Sequence, residues 1–330
     1  MNLETTLNDI DRDLLASAID GFVPPNVIDI HGHVLNPHFC PAEKLAPYLP
    51  GIDFEAYRVA MEMLFPERTL AGTLFFPFPV HHYDMEGLNG WMFSEIDRRD
   101  SPLTRGLALA APGDGPDAFE SWMKDGRCLG LKPYHYYSGR PDTLQAELEE
   151  FVPEWMWALC DRHEGILMVH LVKDGAVSDP GNREALLRLC RKYPGCRLML
   201  PHIARAFNFR TARGLKDFVE LPNVFVDTSA ITEAEGMRIA LDLLGPERVL
   251  YGSDYPISHL RGHCATAGAT FHWFYHAEPR MTLTGIESLL CLREAAEQLG
   301  LKKPDIERIF FGNAHALLTR EALKVPTLRP

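Results

Sequence analysis

The sequence predicts an α/β fold, a closed (β/α)8 TIM barrel with additional N- and C-terminal helices. Three observations carry that reading. Apolar runs of strand length recur eight times along the 330 residues. Stretches with helical spacing lie between most of them, and strands alternating with helices imply a parallel sheet. The turn after the first run reads His31-Gly32-His33-Val34-Leu35-Asn36-Pro37. It lacks the G-x-G-x-x-G that an open, dinucleotide-binding sheet needs at that point.

Residues 1–26 read as an N-terminal helical extension. Leu7, Ile10, Leu14 and Leu15 fall on one side of a short helix, and Pro24-Pro25 breaks the chain after it. Strand-length runs then occupy 27–33, 72–78, 103–111, 128–134, 165–171, 196–203, 223–229 and 248–254. Helical spacing fills 53–64, 84–98, 115–125, 142–163, 181–193, 210–219 and 233–244. Eight such units close a barrel. Beyond the eighth strand the pattern predicts helices over 285–299, 304–309 and 313–323. No internal repeat, low-complexity tract or linker interrupts 27–330, which is read as one domain.

The formal net charge of −12 argues against a nucleic-acid backbone or an anionic membrane as partner, because both select clustered Lys and Arg. A small-molecule substrate is the expected partner. The seven cysteines are scattered without C-x-x-C, as expected of buried thiols in a reducing cytosol. The first twenty residues carry several acids and no long apolar stretch, unlike a signal peptide. No run reaches the roughly 18 apolar residues of a membrane span. A soluble cytoplasmic protein is therefore expected, and a homodimer by analogy with other barrels.

Active sites of such barrels lie at the C-terminal ends of the strands. The polar residues of interest fall there. His31 and His33 end the first run, and side chains at i and i+2 share a strand face. Lys132 ends the fourth, His170 the fifth, His202 the sixth and Asp254 the eighth. Singly, each has an ordinary reading: a histidine at a strand end is a hydrogen-bonded cap, and Asp254 an N-cap. Together, in this order, they point to a site gripping a divalent metal, since imidazoles with a carboxylate are the usual ligands of catalytic zinc.

Other rim residues are candidates for substrate binding. Tyr134 and His135 open an aromatic loop that either lines a pocket or covers the barrel mouth. His81 and His82 follow the second strand, Lys173 follows His170, and Arg205 follows His202. Glu233 either holds a substrate polar group or favours the start of the next helix. His259 and Arg261 lie on the loop after the eighth strand.

The sequence resembles the amidohydrolase superfamily, in the amidohydrolase-related branch that includes aminocarboxymuconate-semialdehyde decarboxylase. The resemblance rests on VIDIHGH (27–33), GLKPY (130–134), ILMVH (166–170), LMLPH (198–202), NVFVDTSA (223–230), RVLYGSDYP (248–256) and IFFGNAHALL (309–318). It implies a metal held by His31, His33, His170 and Asp254, with Asp254 also moving protons and His202 facing the substrate. One zinc ion is the first expectation, and manganese, iron and cobalt suit the same ligands. Elsewhere in the superfamily a lysine at the end of strand four is carboxylated and bridges two metals. Three readings of Lys132 therefore stand: a carbamate bridge in a binuclear site, an anchor for a substrate carboxylate or phosphate, or a structural lysine.

The expected activity is metal-dependent hydrolysis of a small molecule with an amide, lactone or related bond. The alternative is non-oxidative decarboxylation on the same site, with Lys132 or Arg205 as a cation for the carboxylate. A non-catalytic barrel is disfavoured, because an unsatisfied polar cluster costs stability. A nucleotide-cofactor enzyme lacks its phosphate loop.

Overall fold

The computed structural model describes residues 3–4, 6–41, 51–80, 84–99, 101–275 and 280–321. Eight parallel strands stand in sequence order: β1 (Asn26–Val34), β2 (Thr69–Pro77), β3 (Arg105–Ala110), β4 (Cys128–Pro133), β5 (Ile166–Met168), β6 (Arg197–Leu200), β7 (Val224–Asp227) and β8 (Val249–Leu250). The segment after β8 meets β1 through a Gly32–Tyr255 bridge. Asp254 N donates to His31 O at 2.9 Å and Ile30 N to Tyr251 O at 3.1 Å. The (β/α)8 barrel predicted from the sequence is the observed fold.

Two apolar layers hold it. Ile28, Ile30, Leu74, Phe76, Leu107, Leu129, Ile166, Met168, Met199, Phe225 and Leu250 fill the interior, one or two per strand. Ala314, Leu317 and Leu318 from the helix Asn313–Thr319 join that cluster with Ala71 and Leu103 from the strand starts. The C-terminal helix thus plugs the end opposite the strand tips. A larger cluster packs the outer strand faces against the helices, with Tyr57, Trp157, Phe151 and Phe218 fully buried.

A register shift in β1 between Asp29 and Gly32 positions the site. Before it, Ile28 and Ile30 face inward. After it, His31 and His33 carry the inward face, so two consecutive residues, Ile30 and His31, share one side. This is what a β-bulge does. Gly32 then faces the outer layer, where a Cβ would stand 2.8 Å from Thr73 Cγ2.

Several expectations are corrected. The helix expected over 142–163 is three pieces: a 3-10 turn at Thr143–Gln145, then Leu148–Phe151 and Glu154–Arg162. Pro153 breaks it, because the residue before a proline is pushed out of the α region, as Val152 is. The segment 210–219 forms a 3-10 helix, Phe209–Phe218. The sixth strand stops at Leu200 rather than 203. Residues 322–323 of the last expected helix lie outside the described residues, as do His81 and His82. An antiparallel hairpin, β9 (Gly262–Ala267) and β10 (Thr270–Tyr275), was not anticipated. Its two-residue turn places Gly268 first with a φ of 61°, the residue a tight hairpin turn favours there.

The N-terminal extension is a helix, Asp9–Ile19, capped reciprocally by Asn8 and Asp11. Arg261 donates from both terminal nitrogens to the buried Asp11 carboxylate, at 2.8 and 2.6 Å. Thr282 Oγ1 donates to the same group at 2.8 Å. Arg261 is therefore a structural tie rather than a substrate contact. Among the described residues, no helix is long and apolar enough to cross a membrane.

The backbones of β4 and β5 approach closely at Gly130. A Cβ on Gly130 would stand 1.8 Å from the Ile166 carbonyl oxygen, whereas one on Gly126 meets nothing within 4 Å. Gly130→Ala is expected to destabilise the fold by more than about 3 kcal/mol, and Gly126→Ala by less than about 1 kcal/mol. Urea denaturation of the two variants measures both.

Candidate metal centre

The β1 bulge and the turn after β8 bring three donors to one point. His31 Nε2 lies 3.3 Å from His33 Nε2, and Asp254 Oδ1 lies 3.2 Å from the first and 3.1 Å from the second. His33 Nδ1 has no hydrogen-bond partner. All three residues are buried. Donors at this spacing around a bond of about 2.1 Å subtend roughly 100° at a shared ion, between octahedral and tetrahedral values. The residues fit a divalent cation.

Asp227 orients this arrangement from β7. Its Oδ2 accepts from His31 Nδ1 at 2.8 Å, which aims His31 Nε2 at Asp254 and His33. Its Oδ1 accepts from the backbone N–H groups of His202 and Ser229, at 2.9 and 3.1 Å, and from the Ser229 hydroxyl. Asp227 also forms a second close donor set with His31 and His202. Both of its oxygens are already committed to hydrogen bonds, so it orients more naturally than it ligates.

Asp29 makes a second brace. It points outward and accepts from His31 N and Ser253 N, each at 2.9 Å, from Ser253 Oγ at 2.5 Å and from Tyr57 OH at 2.7 Å. The strand carrying His31 and the turn carrying Asp254 are thereby clamped to one carboxylate.

His202 follows β6 in an unusual backbone. His202, Ile203, Ala204 and Arg205 all have φ between 50° and 61°. Each non-glycine residue in the left-handed region costs about 1–2 kcal/mol, so this turn is strained. The His202 N–H bond to Asp227 and the Arg205 Nη1 bond to Lys173 O at 2.6 Å hold it. Because the Ser229 hydroxyl donates to Asp227, its oxygen accepts from His202 Nδ1 at 2.8 Å. Nε2 of the neutral ring is then left with a lone pair.

The electrostatics follow from burial and neighbours. Burial pushes the His31 imidazole down, but the Asp227 and Asp254 carboxylates overcome it and raise it to about 9. Burial holds His33 down at about 4 and also lowers His202. Burial raises Asp254, but His31, His202 and its hydrogen bonds carry it well below the usual carboxylate range. Asp227 behaves alike, at about 2.

The remaining candidates divide. His170 reaches the rim but joins neither close donor set. Its ring stacks on Tyr134 at 5.6 Å and meets the His202 ring edge-on at 5.2 Å, and its Nδ1 has no partner. The structure therefore gathers three of the four expected ligands. Lys132 is fully buried and its Nζ has no hydrogen-bond partner. It lies over the rings of Tyr134 and Phe76, at 4.7 and 5.2 Å, and burial lowers it to about 7 against the pull of Asp227 and Asp254. Cation–π contacts return about 1–2 kcal/mol each, less than the several kcal/mol that burying an ion costs. Arg205 lies over Phe271 at 5.2 Å with Nε unpartnered, and His135 Nδ1 meets Thr143 Oγ1 at 3.0 Å.

Two expected substrate contacts are corrected. Glu233 Oε2 accepts from Thr266 N at 3.0 Å and from its hydroxyl, so it fastens the hairpin. His259 is buried with Nε2 on Ala60 O at 3.1 Å and Nδ1 on Ser258 Oγ at 3.0 Å, so both nitrogens serve packing. Sequence reasoning missed Asp227, Asp29 and the hairpin wall of Phe271 and Trp273, both 5.2 Å from Phe207. Asp227 ends its strand as the other rim residues do, and Asp29 is an acid inside an apolar run; both signals were readable.

These shifts set a pH dependence for the chain stripped of metal by chelator. The raised His31 contributes stability fully below about pH 6.5, which is lost as pH rises through about 9. The lowered His33 contributes above about pH 6.5, and this is lost as pH falls through about 4. The urea midpoint should therefore peak near pH 6.5 and fall on both sides. In Asp227→Asn the alkaline slope should shrink.

Residues 28–320 match the family model described as Amidohydrolase. The L-fucono-1,5-lactonase of Burkholderia ambifaria is 27% identical over 178 residues, which is 48% of this chain and 57% of that enzyme. The chain thus matches a little over half the length of this curated relative. An amidohydrolase of Burkholderia multivorans with bound HEPES superposes with a TM-score of 0.60 at 15% identity, over 89% of this chain and 99% of that one. A crystal form described alike, with zinc, gives 0.57 at 15% identity, over 89% and 99%. A dihydroxybenzoic acid decarboxylase from Polaromonas sp. JS666, solved with manganese and 2-nitroresorcinol, gives 0.54 at 14% identity over 91% and 98%. At these identities the structures speak to the fold alone, and the family match decides the assignment: the chain is an enzyme of the amidohydrolase family.

Proposed function

We propose that this protein is a metal-dependent hydrolase that opens a small-molecule lactone or related bond with water. The observation that carries the reading is the convergence of His31 Nε2, His33 Nε2 and Asp254 Oδ1 at 3.1–3.3 Å in a buried site. These three residues would hold the ion, with His170 at the same rim as the expected fourth ligand. Zinc is the first choice. When bound, a divalent cation lowers the pKa of water to roughly 7 and polarises a carbonyl.

The chain's own residues supply the rest. Asp254, ionised at neutral pH, accepts the proton of the attacking water and delivers it to the leaving oxygen or nitrogen. The His202 Nε2 lone pair accepts a hydrogen bond from that water and fixes its oxygen in place. With no proton on that nitrogen in the neutral state, His202 positions the water rather than polarising the carbonyl. Asp227 keeps His31 in the tautomer that leaves Nε2 free.

A lactone is favoured over an amide by the likeness to the Burkholderia lactonase. Decarboxylation is the weaker reading. A fully buried ammonium holds a carboxylate more tightly than the neutral carbon dioxide that would leave, so Lys132 opposes loss of a carboxylate bound to it.

The test is a panel of sugar and aromatic lactones followed with a pH indicator. Ring opening should stop on chelation and return with zinc or manganese. Carbon dioxide release without ring opening, or turnover indifferent to chelator, would overturn the reading. His202→Ala should keep its metal and lose about 10²–10⁴-fold in kcat. Asp254→Asn and His31→Ala should lose the metal, as elemental analysis of the purified variants would record.

A further inference from the structure

We propose that the Lys132 ammonium is the seat of a substrate carboxylate, so that the molecule hydrolysed is a small monoanionic acid. The inference rests on the hydrolase reading above for the bond that is cleaved, and on separate observations for the seat.

Lys132 ends β4 with its side chain fully buried and its Nζ without a hydrogen-bond partner. The acids closest to it in charge interaction are Asp227 and Asp254. Neither serves as its counterion. Asp227 spends both oxygens on His31, Ser229 and the His202 backbone, and Asp254 Oδ1 faces His31 and His33. A buried lysine nitrogen with no acceptor in reach is incomplete until an anion arrives.

The geometry ties that anion to the reaction. The Phe76 ring lies 5.2 Å from Lys132 Nζ, 5.0 Å from the His31 ring and 4.6 Å from the His33 ring. The ammonium and the donor triad therefore share one aromatic floor. A molecule anchored on Nζ keeps its next few atoms within reach of the triad. Tyr134, stacked on His170 and lying over Nζ, forms the opposite wall. Arg205, whose buried Nε is unpartnered, adds a second cation whose charge acts on His135 and His170 as that of Lys132 does. No acid among the described residues makes an ion pair with Lys132 or Arg205. One compact ammonium between two aromatic faces matches the single charge of a carboxylate, whereas a phosphate dianion spreads more charge over three oxygens than this donor can meet.

Benzoate and its neutral analogue benzamide test the seat without turnover. Calorimetric and thermal-shift titrations are run on the full chain with chelator present, for the wild type, Lys132→Met and Lys132→Gln. The wild type should prefer benzoate by at least about tenfold, and both variants should lose that preference. Either variant that folds suffices. Equal benzoate affinity in wild type and variant overturns the proposal. So does benzoate binding that needs added zinc and ignores the substitution, which would make the ion the seat. Loss of metal uptake by Lys132→Met, or a carbamate carbon signal after growth with 13C-bicarbonate, also overturns it by placing Lys132 in the metal centre. Failure of the wild type to take up metal would sink the hydrolase reading and leave the benzoate result standing.

Discussion

The site depends on a single imidazole shared by two carboxylates. His31 bonds Asp227 through Nδ1 and faces Asp254 through Nε2, with all three buried. Each carboxylate alone would be costly at that depth. Together they hold an imidazole whose orientation is settled at both ends. Three more rim residues take their positions from this line: His33 across from Asp254, His202 hung by its backbone from Asp227, and Ser229 closing the ring between them.

Strain gathers around that line. Lys173, His202 through Arg205, Ala230 and Asp254 all adopt left-handed backbone without being glycine, and they follow β5, β6, β7 and β8 in turn. The barrel below is regular and apolar, so it tolerates irregular turns at its mouth. The hydrogen bonds that hold these turns end on Asp227, Asp29 or neighbouring carbonyl groups. Stability from the packed barrel is thus spent on aiming polar groups at one point.

Elements outside the barrel reinforce the same region. The N-terminal helix reaches the loop after β8 through Asp11 and Arg261. Glu233 and Thr232 fasten the hairpin, which sets Phe271 and Trp273 beside Phe207, itself stacked on His202. These pairings join residues distant in sequence. Arg261 and Glu233 read as pocket residues because a charge on a rim loop looks the same whether it meets substrate or another loop.

By itself the sequence determined the number of barrel strands, their parallel order, the barrel and the rim positions of His31, His33, Lys132, His170, His202 and Asp254. It did so because strand ends are local: an apolar run that stops at a polar residue reads the same in any context. Only the tertiary structure decided which of those tips meet. The β1 bulge is one such decision, since a period-two pattern carries no mark of the shift that turns both histidines inward. The left-handed turn at His202 is another, because local propensity argues against it and only the bonds to Asp227 and Lys173 sustain it. Lys132 is the third. Its burial without a counterion depends on Tyr134, two residues further along, and on Phe76 from β2 closing over it, and no spacing along the chain records the Phe76 contact.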